Sequence, residues 1–184
     1  MFYRSERLFL RPGWPEDRQE LLARIEDDPS ARVLGARSSL TDEVGFKDLL
    51  NGAHERYLPF FLVTLPTADG ARLIGCAGLA RGQADPSLIF WIARDYRGQG
   101  YATESVRALL SLANALGHRR IVSYHGEGDE ASARVLDKNG FRPTGECMMD
   151  FVHATDRTRP TLAYAREFDV PHGLGSGGPD KRAA

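Results

Sequence analysis

The sequence predicts a mixed α+β (mixed α/β) domain, with a central, mostly antiparallel sheet of about seven strands and about four helices. Two observations carry this. Apolar runs of strand length crowd the middle of the chain with short links between them. Segments of helical periodicity stand on either side, bounded by proline, glycine and capping residues.

Residues 6–11 alternate and read as an edge strand. Pro15-Glu16-Asp17 opens a first helix, with proline at an early helical position and acids in the first turn. Leu21, Leu22 and Ile25 supply its buried stripe, and Asp28-Pro29 ends it. Thr41 caps a second helix with apolar positions Val44, Leu49, Leu50 and Ala53. Phe60–Leu65, Arg72–Leu79 and Pro86–Ala93 read as strands, and their short links make an antiparallel meander. Residues 101–116 place Ala102, Val106, Leu109, Leu110, Ala113 and Leu116 on one helical face, and Gly117 terminates it. Arg120–Tyr124 is a short strand, and residues 130–139 form a helix stopped at Asn139-Gly140. Phe141–Phe151 and Thr161–Phe168 are the last strands, around a polar loop at His153–Arg159. The resulting order is β-α-α-β-β-β-α-β-α-β-β. One domain covers 1–170, and the Gly-rich stretch 171–184 reads as a flexible tail.

Composition narrows the function classes. A chain of 184 residues, 42% hydrophobic and 27% charged, suits one globular domain with a substantial core. A net charge of −1 supplies no general pull on nucleic acid, so no direct nucleic-acid binding is expected. No apolar run reaches the length of a membrane span, and the N-terminus lacks a signal pattern; no membrane partner and a cytoplasmic location are expected. Cys76 and Cys147 lie in apolar strand-like runs and read as buried free thiols. No Cys/His cluster has metal-ligand spacing, so no metal is expected.

The most telling stretch is Arg94-Asp95-Tyr96-Arg97-Gly98-Gln99-Gly100-Tyr101-Ala102-Thr103-Glu104, between the strand at Leu88–Ile92 and a helix. A strand, a Gly-rich loop and a helix start expose successive backbone N–H groups with the helix dipole behind them, which makes an anion cradle. A nucleoside triphosphate loop needs a Lys-Ser/Thr pair after its last glycine, and none is present. A dinucleotide fingerprint needs a third glycine where Thr103 stands. Arg97-Gly98-Gln99-Gly100-Tyr101-Ala102 instead matches R/Q-x-x-G-x-G/A, with Arg97, Arg94 or Lys138 near enough to meet phosphates.

That pattern resembles the acetyl-coenzyme A pyrophosphate loop of the GNAT acetyltransferase superfamily. Asp129-Glu130-Ala131-Ser132-Ala133-Arg134-Val135-Leu136-Asp137-Lys138-Asn139-Gly140-Phe141 resembles the second cofactor segment of that superfamily, N-x-x-S-x-R-V-L-E-K-x-G-F. Ser5-Glu6-Arg7-Leu8-Phe9-Leu10-Arg11-Pro12 resembles the opening strand of the subgroup that includes the ribosomal-protein N-terminal (alanine/serine) acetyltransferases. The resemblance covers roughly residues 5–168 and implies the GNAT acyl-CoA N-acyltransferase fold.

It also implies a site. Acetyl-CoA would lie between the diverging strands at Phe90-Trp91-Ile92 and Ile121–Tyr124, with a backbone N–H near Trp91 or Ile92 polarising the thioester carbonyl. Cofactor contacts fall on Trp91, Ile92, Arg97, Gly98, Gln99, Gly100, Tyr101, Ala102, Thr103, Asp129, Ser132 and Lys138. The family often places a glutamate near the start of the strand before the loop; Ser87 stands there, and Asp85 reads as a turn residue. Many members carry a tyrosine four residues after the motif serine; here it is Leu136, which leaves Ser132 as the candidate acid. Asp129 replaces the usual asparagine and can cap the helix. His125 follows the strand 120–124, where it reads as an exposed loop residue or as a proton relay. Trp14, His54, Arg56 and Tyr57 fall in the region that shapes the acceptor side.

The implied reaction is acetyl transfer from acetyl-CoA to a primary amine, a protein N-terminal α-amine or a small-molecule amine, by direct attack in a ternary complex. An α-amine titrates near ~7.8 and a lysine near ~10.4, so neutralising them at pH 7 costs about 1 and about 4.6 kcal/mol. A site without a strong base favours the first. The competing class is a non-catalytic acyl-CoA-binding sensor or partner protein of the same fold, motivated by Ser87, Leu136 and Asp129. A monomer or a homodimer is compatible with the sequence.

Overall fold

Eight strands form one sheet in the computed structural model of the chain, which describes residues 2–26, 28, 57–152 and 157–168. The strands are β1 (Tyr3–Arg4), β2 (Phe9–Arg11), β3 (Phe60–Thr67), β4 (Gly70–Ala80), β5 (Ser87–Ile92), β6 (Arg120–Gly126), β7 (Arg142–Val152) and β8 (Arg157–Glu167). Their order across the sheet is β1-β2-β3-β4-β5-β6-β8-β7. Every neighbouring pair is antiparallel except β5 and β6. Three helices stand among the described residues: α1 (Asp17–Glu26), α2 (Tyr101–Ala115) and α3 (Glu130–Lys138).

The meander β3-β4-β5 and both helices beside the loop fall where the periodicity places them. The differences have local causes. The N-terminal segment reverses at Ser5–Leu8, where Ser5 N–H donates to the Leu8 carbonyl at 3.0 Å, and this creates the extra strand β1. Strand β8 begins at Arg157 rather than Thr161 because its backbone pairs with β7 out to Val152. The expected helix at 41–53 and the tail at 171–184 lie outside the described residues. Cys76 is buried beneath α1, and burial pushes its thiol up to about 12. Cys147 is exposed, contrary to the expectation, because outer strand β7 shifts register between Pro143 and Cys147.

Strand alternation divides the sheet into two faces. Leu88, Phe90 and Ile92 of β5 pack with Val106, Leu109, Leu110 and Ala113 of α2 and Leu136 of α3. Ile89 and Trp91 turn the other way, onto Leu21 and Ile25 of α1. Both helices on the first face end in the same motif. Gly117 and Gly140 adopt φ of 88° and 78°, a region that glycine enters without strain. The N–H of His118 then reaches the Ala113 carbonyl at 3.1 Å, and that of Phe141 the Leu136 carbonyl at 3.1 Å. Phe141 and Leu136, both fully buried, make the apolar contact that accompanies such a stop. Among the described residues no helix is long and apolar enough to cross a membrane.

The N-terminal turn hooks α2. Glu104, in the first turn of α2, accepts from Arg7 N–H (2.6 Å), Ser5 Oγ (2.7 Å) and Arg7 Nε (2.8 Å). Burial alone would raise the Glu104 carboxyl; these donors and the Arg7 charge outweigh it and hold the group below its ordinary 4.5. A carboxyl with a lowered folded value binds fewer protons folded than unfolded. Its stabilisation is complete above 4.5 and is lost as pH falls through the folded value. Urea unfolding midpoints should therefore drop on acidification from about pH 5 to about pH 3, and Glu104→Gln should flatten that drop.

Candidate active site

Strands β5 and β6 touch at one register position, Ser87 opposite Val122, with Val122 N–H donating to the Pro86 carbonyl at 3.0 Å. Beyond it they part, and the backbone alternation decides what lines the gap. Ala93 N–H pairs with the Ile74 carbonyl of β4 at 2.8 Å, so positions 93, 91 and 89 direct their backbone groups toward β4. Phe90 and Ile92 therefore direct theirs into the gap. By the same rule Phe168 N–H on Arg119 sets 121, 123 and 125 toward β8 and turns Tyr124 into the gap. Of the two N–H groups expected to polarise a thioester carbonyl, Ile92 faces the gap and Trp91 faces β4.

The gap opens into a cleft of about 420 Å³ that runs to the Gly-rich loop. After β5 the chain makes a 3-10 turn at Arg94–Tyr96 and then passes Gly98 and Gly100, whose φ values are 75° and 83°. Left-handed backbone at these two positions is open to glycine and strained for side-chain-bearing residues. Gly100 caps α2, so the cleft ends against a helix N-terminus with its outward N–H groups.

Arg97, Gly98, Gly100, Tyr101, Ala102 and Thr103 all line the cleft. Gln99 does not; its side-chain amide donates back to the Asp95 carbonyl at 3.3 Å. Arg97 turns inward: Nε donates to the Ile92 carbonyl at 2.8 Å, and Nη2 bonds the buried carboxylate of Asp28. Asp28 also accepts from Trp91 Nε1 at 2.9 Å. The motif arginine thus ties the loop to the end of β5 and to the end of α1. Trp91 and Ile92 line the cleft, as does Lys138 on α3.

Helix α3 brings in the second segment. Asp129 caps it, accepting from Ser132 N–H at 3.0 Å and from Ser132 Oγ at 2.7 Å. Both residues line the cleft. Leu136, at the position of the family's tyrosine, is fully buried in the α2–α3 core. His125 lies within β6 and is 5% exposed, which corrects the loop reading; the strand continues to Gly126 through pairing with Thr161. Its Nδ1 lies 3.0 Å from the Gly126 carbonyl. A carbonyl only accepts, so Nδ1 carries a proton; Nε2 is buried and without a hydrogen-bond partner among the described residues.

Ser87 is buried at the closed end of the gap, on the α1 face, and Tyr124 and Thr161 share that face by register. Asp85 is ion-paired with Arg120 at 2.6 Å, in keeping with a turn residue. Trp14 stands 45% exposed against Arg11 and does not line the cleft; Arg94 is exposed outside it as well. Tyr57 is exposed, and His54 and Arg56 lie outside the described residues. Thr161, Ser123 and Tyr96 line the cleft without having been singled out in sequence. Thr161 reaches it only by pairing with Gly126, a partner that no local pattern reveals.

A parted parallel strand pair, a Gly-rich loop and a helix start bound this cleft. The sequence model of the Acetyltransferase (GNAT) domain matches residues 7–142, and the chain belongs to this family. It is an N-acetyltransferase of the GNAT class. Solved structures share the fold. RimL, a ribosomal L7/L12 α-N-protein acetyltransferase solved with coenzyme A, is 19% identical with a TM-score of 0.71, over 92% of this chain and 99% of its own. A GNAT-family acetyltransferase from Bacillus anthracis is 20% identical with a TM-score of 0.69, over 91% and 98%. The microcin C7 self-immunity acetyltransferase MccE, solved with acetyl-CoA and AMP, is 12% identical with a TM-score of 0.68, over 89% and 93%. No curated protein matches the chain by sequence.

Two outcomes follow from this geometry. The chain has two tryptophans, and Trp14→Phe leaves Trp91 as the only one. Coenzyme A should then change the emission of Trp91, because this residue lines the cleft and its ring nitrogen bonds Asp28, the partner of Arg97. Leu136→Ala should cost about 2–5 kcal/mol of stability in urea unfolding, as expected for a fully buried leucine.

Proposed function

We propose that this chain transfers the acetyl group of acetyl-CoA to a primary amine by direct attack in a ternary complex. The observation that carries the reading is the single-register contact of β5 and β6, which leaves backbone groups of Phe90, Ile92 and Tyr124 facing a cleft continuous with the Gly98–Gly100 loop. The residues present fit the cofactor: N–H groups at the loop for a pyrophosphate, and strand-like backbone in the gap for an amide-bearing arm. Bound there, acetyl-CoA supplies the activated acetyl thioester. The neighbours solved with coenzyme A or acetyl-CoA support this choice.

The protein's own groups take the remaining tasks. The Ile92 N–H is aimed at the position where an oxyanion develops. Ser132 Oγ donates to Asp129 at 2.7 Å in the cleft wall; rotated off that acceptor, the hydroxyl is the hydrogen-bond donor for the departing thiolate, which takes up the proton released by the attacking amine. His125, whose buried Nε2 has no hydrogen-bond partner among the described residues, stands in that wall as the candidate proton relay. Ser87 occupies the position of the family's glutamate, and Asp85 is committed to Arg120, so neither end of that strand start supplies an unpaired carboxylate base. A site built in this way suits an amine that is already substantially neutral near pH 7, such as a peptide α-amine or a low-pKa small-molecule amine.

Purified protein incubated with acetyl-CoA and a panel of peptides with free N-termini, polyamines and aminoglycosides should release free thiol above background with an α-amine or low-pKa amine. Ser132→Ala should lower kcat about 100-fold. Tight coenzyme A binding with no thiol release on any amine would favour the non-catalytic sensor instead.

A further inference from the structure

The side chain of Arg7 touches the Gly-rich loop from outside the cleft. Arg7 donates from Nη1 to the Gln99 carbonyl at 3.1 Å, and its guanidinium carbon lies 4.6 Å from the centre of the Tyr101 ring. Its Nε and backbone N–H bind Glu104 at 2.8 and 2.6 Å. A Cβ added at Gly100 would meet Arg7 Nη2 at 3.4 Å, so the guanidinium lies against that residue too. These four loop and helix residues are more than ninety positions away in sequence. Arg7 itself does not line the cleft, whereas Gly100 does.

The peptide plane turns this contact into a consequence for ligand binding. A trans peptide sets the carbonyl of one residue antiparallel to the N–H of the next. No cis peptide is present among the described residues. The Gln99 carbonyl, drawn outward onto Arg7, therefore turns the Gly100 N–H inward toward the cleft. Gln99 sits between two left-handed glycines, Gly98 and Gly100, whose backbone is the least restricted by sterics, so the Arg7 contact helps to set the orientation of this peptide plane.

We propose that Arg7 is a positioning residue for the cofactor: by holding the Gln99 carbonyl it aims the Gly100 N–H at the pyrophosphate of acetyl-CoA. The Glu104 carboxylate and the Tyr101 ring fix the guanidinium for this task, which makes the N-terminal turn part of the binding site's scaffold. The inference rests on the cofactor reading of the cleft. The Gly100 amide is the group through which Arg7 acts, and Arg7 touches no substrate atom.

Titration calorimetry of the full chain with coenzyme A tests it. Arg7→Met should weaken binding about tenfold, the size expected for loss of one preorganised donor to a phosphate. The KM for acetyl-CoA should rise in step, with a smaller fall in kcat. Arg7→Lys keeps the charge but cannot fork between Gln99 and Glu104, and should fall between the two. Ser5→Ala removes one donor to Glu104 and leaves the Gln99 contact; its affinity should stay within twofold of the parent. In ¹H–¹⁵N spectra the Gly100 amide should move downfield on adding coenzyme A to the parent and lose that movement in Arg7→Met. Arg7→Met binding within twofold of the parent would overturn the proposal, as would Ser5→Ala weakening binding as much as Arg7→Met. Should Arg7→Met fail to fold, unchanged affinity of Arg7→Lys with the Gly100 movement intact overturns it equally. A parent chain that binds no coenzyme A would overturn the cofactor reading itself, a result separate from either variant.

Discussion

The parting of β5 from β6 is the constraint on which the rest of the molecule depends. Two parallel strands that met along their length would satisfy each other's backbone groups and close the sheet. Here they meet at Ser87 and Val122 alone. The groups of Phe90, Ile92 and Tyr124 are left facing a gap inside an otherwise continuous sheet. The neighbouring pairs β4–β5 and β6–β8 are long and antiparallel and hold each strand in place while its other edge stays open.

The loop at the end of the gap is held from three directions. Glycines at 98 and 100 admit the left-handed turn, Arg97 ties the loop inward to Ile92 and Asp28, and Arg7 ties it outward at Gln99. Arg97 is instructive. Its place in the motif and its charge suggest a phosphate ligand, yet two of its N–H groups are spent on protein acceptors. The carboxylate of Asp28 is buried with Trp91 beside it, and a buried carboxylate draws a cation strongly because leaving it unpaired is costly. The anion cradle consequently rests on backbone N–H groups, which carry no side-chain identity.

The same economy extends to the acceptor side. Where related proteins offer a glutamate, the closed end of the gap holds the hydroxyl of Ser87, and Asp85, two positions earlier in sequence, is ion-paired with Arg120. Ser132 and Asp129 bond each other at the head of α3, so the helix cap and the candidate acid are one unit. The buried Nε2 of His125 has no hydrogen-bond partner among the described residues.

By itself the sequence determined most of the described elements and the Gly-rich loop between β5 and α2. Glycines at 98, 100, 117 and 140 mark backbone turns that few other residues adopt, and apolar periods of two and 3.6 mark what must be buried; both are local physics, legible in a window of a dozen residues. The Asn139-Gly140-Phe141 stop was legible for that reason, and so was the cap at Asp129. Tertiary structure decided which way groups face. Strand pairing made His125 a buried strand residue, brought Thr161 into the cleft, placed Cys147 at the surface, and gave Ile92 rather than Trp91 the N–H in the gap. The partners of Arg97 and of Gln99 lie 69 and 92 residues away. Register and long-range ion pairs are properties of two distant segments at once, and no single window of sequence contains both.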